Sequence, residues 1–182
     1  MYYLNEARLK ILRRLERENN WLPYTAEFIP DILYLMEHHL VESDPLQLRH
    51  DQMILHITED GRKYMTAVHE VARVDRFGVD RLEDYLIDLS VRKNSVFRRV
   101  PILRVESLTD AFLTLQLIRE DQNVFGFNYN LFSETSAPLL HTCEVGFWSQ
   151  DTEADRVWSC TRRSPSWAIF AALVKCFLEV RF

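Results

Sequence analysis

The side chains that most often carry enzyme chemistry are present in this chain, but they are scattered. Cysteine occurs at three positions and histidine at six, without the C-x-x-C or H-x-x-x-H spacing that is typical of zinc sites. No G-x-S-x-G motif marks a nucleophilic serine, and only four glycines are available for a phosphate-binding loop. His141, Cys143 and Cys160 could converge on neighbouring strands, but both cysteines also fit apolar core positions. The pattern therefore predicts no catalytic residue, no metal site and no cofactor.

Composition places the chain among folded proteins that do not enter a membrane. Its 182 residues are 47% hydrophobic, which is enough to build a core. No apolar run reaches the about 18 residues that a membrane span needs. Three cysteines, an odd number, fit reduced thiols better than a disulfide framework. We therefore expect a cytoplasmic protein with no membrane contact.

Positive charge is concentrated in three places, although the formal net charge is -5. Each place could contact phosphate or another anion, and each has a plainer reading as a solvated or salt-bridged surface. For the first helix the plainer reading rests on the acidic residues interleaved with the cations, and for the middle segment on the acidic helix at 78–94. The candidate contacts are Lys10, Arg13, Arg14 and Arg17 on one face of the first helix, Arg98 and Arg99 in the middle, and Arg162 and Arg163 before the last helix.

For the front of the chain, the sequence predicts the order helix, helix, strand, strand, helix. Apolar residues at helical spacing predict a first helix from residue 4 to 15, and Pro30 suits the first turn of a second helix that reaches His39. Residues 40–43 and 52–57 then read as a two-stranded ribbon, with a polar tip at 44–51. Thr58 is placed to cap a third helix, whose first turn carries two acids.

The segment from Leu55 to Met65 resembles the L-T-x-x-G-R-x-x-L stretch that closes the wing in bacterial and phage winged-helix proteins. The resemblance covers residues 4–72 and implies a winged-helix fold that often binds DNA. The helix at the position of the recognition helix, however, contains Asp31 and Glu37 and no Arg, Lys, Asn or Gln. Those four residue types make most base contacts in the major groove. Their absence from this helix counts against sequence-specific recognition of DNA.

For the back of the chain, the sequence predicts a helix, then three strands, then a second helix. A helix over 107–119 carries an apolar stripe of Leu108, Ala111, Phe112, Leu115 and Ile118. Alternating residues predict strands at 124–132, 139–148 and 156–163, which short polar turns connect as an antiparallel meander. On the buried face we expect Phe125, Phe127, Tyr129, Leu131, Cys143, Val145, Phe147, Trp158 and Cys160. Pro165 suits the first position of the last helix.

Two segments, Ser164 to Leu178 and Pro101 to Phe112, resemble the ends of an αβα-sandwich domain found in small phage and prophage proteins. This resemblance implies a phage origin and no particular activity. Together the patterns predict an α+β chain, a winged helix followed by a small antiparallel three-stranded sheet covered by two helices. The expected domains are residues 1–76 and 101–182, with a connecting helix and a basic segment at 77–100.

The last helix is apolar nearly all round, and one sheet cannot cover all of it. The side turned from the sheet could be covered by a second copy in a homodimer, by the front domain, or by the helix at 78–94. The possible interface comprises Ile169, Leu173, Cys176 and Val180.

These features lead to one functional expectation and one alternative. The expectation is a non-enzymatic, phage-encoded protein that regulates or inhibits a host or phage protein through protein contacts. The alternative is a winged-helix transcription regulator that grips the DNA backbone through the cations of the first helix and Arg98 and Arg99.

Overall fold

The chain is α+β and divides into two compact units, Leu4–His69 and Glu70–Phe182. The predicted fold class is therefore confirmed. The description rests on a computed structural model and covers residues 4–18, 22–23, 29–43, 52–91, 104–121, 124, 126–135, 138–147 and 157–180.

The described residues of the first unit form three helices and short antiparallel strand pairs. β2 pairs with β4, as predicted for residues 40–43 and 52–57, and β1 pairs with β3, which the sequence did not indicate. The predicted ribbon tip, 44–51, lies outside the described residues. In chain order the elements are α1 (Glu6–Glu18), β1 (Leu22–Pro23), α2 (Ile29–Glu37), β2 (Val41–Ser43), β3 (Gln52–Met53), β4 (Leu55–Ile57) and α3 (Glu59–Val71), whose last two residues belong to the second unit.

The core of the first unit forms around the apolar stripe of α1. Leu9, Leu12 and Leu15 are fully buried there. Tyr64 on α3 is also buried, and its hydroxyl accepts a hydrogen bond from the backbone N–H of Leu4 at 3.1 Å. A buried tyrosine needs such a partner, because an unpaired hydroxyl costs free energy in an apolar environment.

α2 ends at a residue with left-handed backbone conformation. His39 has φ 56°, its N–H donates to the carbonyl of Met36 at 3.0 Å, and the N–H of Leu40 donates to the carbonyl of Leu35 at 2.9 Å. These two bonds define a Schellman motif, in which glycine is the favoured residue at the left-handed position. The motif turns the chain directly into β2.

We expect His39→Gly to stabilise the first unit by about 0.5 to 1 kcal/mol, because glycine adopts positive φ without strain. The bond from the Thr58 hydroxyl to the His39 carbonyl, 2.6 Å, involves only the backbone of residue 39 and is kept. Urea denaturation measures the effect. His69→Gly, within the last turn of α3, is the control and should lose at least about 1 kcal/mol, because it removes the 3.1 Å contact with Glu16 as well as helix propensity. Equal losses in both variants would contradict the left-handed assignment.

The second unit contains a three-stranded antiparallel sheet in the order β5-β6-β7, as the predicted meander requires. α6 packs on β6 and β7, α5 packs on β5 and α6, and α4 packs on α6. In chain order its elements are a 3-10 turn (Val74–Arg76), α4 (Val79–Val91), α5 (Leu108–Glu120), β5 (Phe127–Glu134), β6 (Leu140–Phe147), β7 (Val157–Arg162) and α6 (Pro165–Glu179).

One face of this sheet carries the core, as the alternation predicted. The register places Tyr129, Val145 and Trp158 in one row and Leu131, Cys143 and Cys160 in the next. The four side chains on β6 and β7 are buried, whereas Tyr129 and Leu131 on β5 are only half-buried. Phe125 lies outside the described residues.

α5 begins where the sequence indicated, and Ala111, Leu115 and Ile118 of its predicted stripe are buried. Ser107 is its N-cap, and the Ser107 hydroxyl accepts from the N–H of Asp110 at 3.1 Å. Leu108 and Phe112 are each 41% exposed, so the prediction that they join the buried stripe was wrong. Thr114 is buried instead, because its hydroxyl donates to the Asp110 carbonyl at 2.7 Å and so needs no water.

None of the described helices is both long enough and apolar enough to cross a lipid bilayer.

Candidate functional site

The cations of α1 are partly neutralised by acids of the same helix. Arg13 lies 2.5 Å from Glu6, and Arg14 lies 2.9 Å from Glu18. Exposed pairs of this kind add at most about 1 kcal/mol to stability, but they lower the positive charge that the helix shows to a ligand. Arg17 donates to the carbonyl of Arg13 at 3.3 Å, and Lys10 is exposed. The four predicted contacts therefore lie on one helix, with two of them already in ion pairs.

The outer side of α2 combines an exposed leucine with an acid. Leu33 is 58% exposed, and Pro30 and Glu37, three residues before and four residues after it, are exposed on the same side. The described part of this side contains no lysine or arginine. It is therefore an apolar and acidic surface.

The other polar residues of α2 are engaged within the first unit. Asp31 accepts from Arg8 at 2.9 Å, and the Arg8 guanidinium lies over the ring of Tyr34 at 3.5 Å. The ring of His38 contacts that of Tyr34, with centroids 4.3 Å apart. Burial, helped by the nearby charge of Arg8, lowers the pKa of His38 below its ordinary value despite the opposing effect of Glu37. His38 therefore adds little positive charge to α2 at neutral pH.

A polar cluster in the second unit joins the 3-10 turn, β7 and α6. The side chain of Lys175, a residue only 8% exposed, donates to Asp75 at 2.7 Å and to the carbonyl of Ser159 at 2.7 Å. Arg162 donates to the carbonyl of Val74 at 3.0 Å. No pattern in the sequence indicated this cluster. Its single local signal is a lysine in the middle of an apolar helix.

Asp75 is held in its ionised form by this cluster. Burial alone would raise its pKa, but hydrogen bonds from Lys175 and Cys160 and the charges of Lys175 and Arg162 lower the pKa below its ordinary value. The Cys160 thiol donates to Asp75 at 3.3 Å. The polar groups of the cluster therefore bond to one another, and together they hold the 3-10 turn against the sheet.

Neither cysteine of the sheet is suited to nucleophilic chemistry. Burial, together with the neighbouring Cys160, raises the pKa of Cys143 to about 12, and burial chiefly raises the pKa of Cys160 to about 11. Thiolate is the reactive form, so both groups are inert at neutral pH. His141 bonds Ser133 at 2.9 Å. Across the described residues, no three His, Cys, Asp or Glu side chains are grouped to hold a metal ion.

The two arginines before α6 differ in what they contact. Arg162 is directed to Val74 and to Asp75, 4.0 Å away, and its side chain is 14% exposed. The expected role of Arg162 as an anion contact is therefore replaced by one inside the protein. Arg163 is exposed. The Ser164 hydroxyl bonds Ser166 at 2.8 Å and makes no cap bond to α6, while Pro165 occupies the first turn as predicted.

The surface considered for self-association through α6 is part of the core. Ile169, Leu173 and Cys176 are fully buried, and Val180 is 3% exposed. α4 packs against α6, which is the covering expected if the helix at 78–94 fulfils this role. Arg98 and Arg99, the remaining candidates for phosphate contact, lie outside the described residues.

Comparison with models of known protein families, with curated proteins and with solved structures gave no match.

Proposed function

We propose that the chain is a non-enzymatic binding protein that regulates or inhibits a host or phage protein through protein contacts. The observation that carries this proposal is the outer side of α2, where the exposed Leu33 lies beside Pro30 and Glu37. A single exposed apolar side chain is normal on a folded protein, but apolar side chains grouped on one side of a helix, as Leu33 and Pro30 are, favour a contact site. An acidic neighbour repels the phosphates of a duplex and favours a basic protein surface.

The winged-helix assignment, which we also propose, is supported by the strand pairing of the first unit. β1 and β2 pair antiparallel with successive parts of the segment 52–57, and a capped helix follows that segment. In this assignment α2 stands where a recognition helix would lie. The phage origin is supported by the resemblance of the last helix to that of the phage αβα-sandwich domain.

We expect Leu33→Lys to abolish capture of a defined protein from a host-cell lysate, because it places a charge in the centre of the contact. Ile87→Lys is the matched control, since Ile87 on α4 is 59% exposed and Leu33 is 58% exposed. Cross-linking followed by mass spectrometry identifies the captured protein. A partner retained by Ile87→Lys and lost by Leu33→Lys supports the proposal. No captured protein, or equal capture by both variants, contradicts it.

DNA binding is the second candidate, favoured by the exposure of Lys10 and Arg17 on α1. Gel-shift titrations on duplex DNA at about 50 and 200 mM salt separate the two, because phosphate contacts make affinity strongly salt-dependent. We expect weak binding with a small salt slope. Tight, salt-sensitive binding that is lost when Arg13 and Arg17 are both replaced by Glu would establish the second candidate.

A further inference from the structure

The outer edge of β7 is closed by cationic side chains of its own unit. Lys175 donates to the carbonyl of Ser159 at 2.7 Å, and Arg162 donates to the carbonyl of Thr161 at 3.1 Å. Alternate residues of an antiparallel strand direct their backbone groups to the same edge. Ser159 and Thr161 are alternate residues, and the carbonyl of each accepts from a side chain. Both carbonyls therefore lie at the outer edge of β7. A further strand cannot pair there without displacing these cations.

On the other side of the sheet, no strand among the described residues pairs with the outer edge of β5. Ser159 is opposite Glu144, and Glu144 is opposite Asn130. Because the backbone groups of Ser159 point away from β6, those of Glu144 and Asn130 point toward each other. The odd-numbered residues of β5 therefore direct their backbone groups outward. The N–H of Tyr129, one of them, donates to the side chain of Asn128 at 2.8 Å rather than to a strand. β5 contains no lysine, arginine or proline, the residues that commonly protect an edge strand from pairing.

The apolar layer of the sheet is also incomplete at this edge. Tyr129 and Leu131 face the core but are half-buried, whereas their neighbours Val145 and Cys143 on β6 are fully covered. An occupant of this edge must therefore supply backbone partners and apolar side chains at alternate positions. A β-strand with the sequence pattern of β5 itself supplies both.

We propose that a second copy of this chain pairs antiparallel with β5 about a two-fold axis at Asn130, which makes one continuous six-stranded sheet. Tyr129 of each copy then lies opposite Leu131 of the other copy, an aromatic and aliphatic pair on the core face. Glu134 is the one charged residue of β5 and falls beyond this register, so no like charges oppose each other. The same patch serves both copies, as two-fold symmetry requires.

The size of this contact sets the expected strength of the dimer. Pairing of one strand buries less than the about 800 Å² per partner of a standard stable interface. We therefore expect a dissociation constant in the micromolar range, roughly 1 to 100 µM.

Sedimentation velocity over about 5 to 500 µM chain tests the proposal with two lysine variants. Asn130 and Ser159 are exposed and lie in the same row of the sheet, at its open and closed edges, with Glu144 between them. We expect the wild type and Ser159→Lys to form a dimer as concentration rises. Asn130→Lys should remain a folded monomer, because two ammonium groups would meet on the axis. A wild type that stays monomeric overturns the proposal, as does a dimer that Asn130→Lys leaves intact.

A cysteine on the same axis gives an independent readout. The natural cysteines Cys143, Cys160 and Cys176 are buried, so an introduced surface thiol reacts alone. With oxidised glutathione, Asn130→Cys should form a covalent dimer at least about tenfold faster than Ser159→Cys, because directly opposed strand residues lie within disulfide distance. Equal rates for the two variants place the contact elsewhere and overturn the proposal.

Discussion

Replacing Gly61 by alanine should destabilise the first unit by at least about 2 kcal/mol. A Cβ atom at Gly61 would lie 2.2 Å from the carbonyl oxygen of Leu40 and 2.7 Å from Cγ1 of Ile57. The start of α3 cannot simply move away, because the N–H of Gly61 donates to the Thr58 hydroxyl at 3.0 Å and the N–H of Thr58 donates to Leu40 at 3.2 Å. The better helix propensity of alanine offsets about 1 kcal/mol at most.

Gly78→Ala is the matched control for this substitution. Apart from its two neighbours in the chain, no residue has an atom within 4 Å of a Cβ built at Gly78, which precedes α4. We expect its effect to stay within about 1 kcal/mol in either direction. Urea denaturation followed by circular dichroism gives both free energies of unfolding. Similar values for the two variants would show that α3 does not approach Leu40 as closely as described.

The behaviour of the segment 55–65 shows how far a local pattern can be taken. Thr58 was predicted to cap α3 because its residue type and position suffice for that inference, and its hydroxyl does accept from Gly61. The need for glycine at position 61 depends on the Leu40 carbonyl, which belongs to the end of the Schellman motif. No rule of sequence spacing locates that carbonyl, so only the structure explains why the segment 55–65 has glycine at position 61.

The sheet and the last helix show the same limit from two sides. Alternation identified the core face of β6 and β7 because one face of a strand is buried as a unit. α6 is apolar nearly all round, so its sequence could not distinguish cover by α4 from cover by a second copy. Ile169 and Leu173 are both fully buried within the second unit. The candidate surface on α2 was partly predictable, because its lack of cations is a matter of composition, whereas the exposure of Leu33 is not.

The polar cluster of Asp75, Ser159, Arg162 and Lys175 had no sequence signal that could locate it. Asp75 and Lys175 are 100 residues apart, and neither lies in a recognisable motif. A buried lysine in an apolar helix indicates that a partner exists, since an unpaired ammonium is costly to bury. It does not indicate which of the chain's acids that partner is.

We expect Asp75→Asn to lower the free energy of unfolding of the second unit by about 1 to 3 kcal/mol at neutral pH. The substitution leaves the ammonium of Lys175 buried without a counter-charge, the costly way to break such a pair. The loss stays below that of a fully buried pair because the Asp75 side chain is 50% exposed. Combining it with Lys175→Met should cost less than the two single losses added, since both remove one interaction. Additive losses in urea denaturation would contradict the pairing.

The same cluster should make the second unit sensitive to acid in a defined direction. The pKa of Asp75 is lower in the folded state than its ordinary value, so its contribution is complete above about pH 4 and is lost as the pH falls through the folded value. The difference in unfolding free energy between the wild type and Asp75→Asn should therefore shrink between about pH 5 and pH 2. Asp84→Asn, on the exposed side of α4, is the matched control for the loss of one carboxylate from this unit. A difference that stays constant over this range would mean that Asp75 gains nothing from Lys175 in its ionised form.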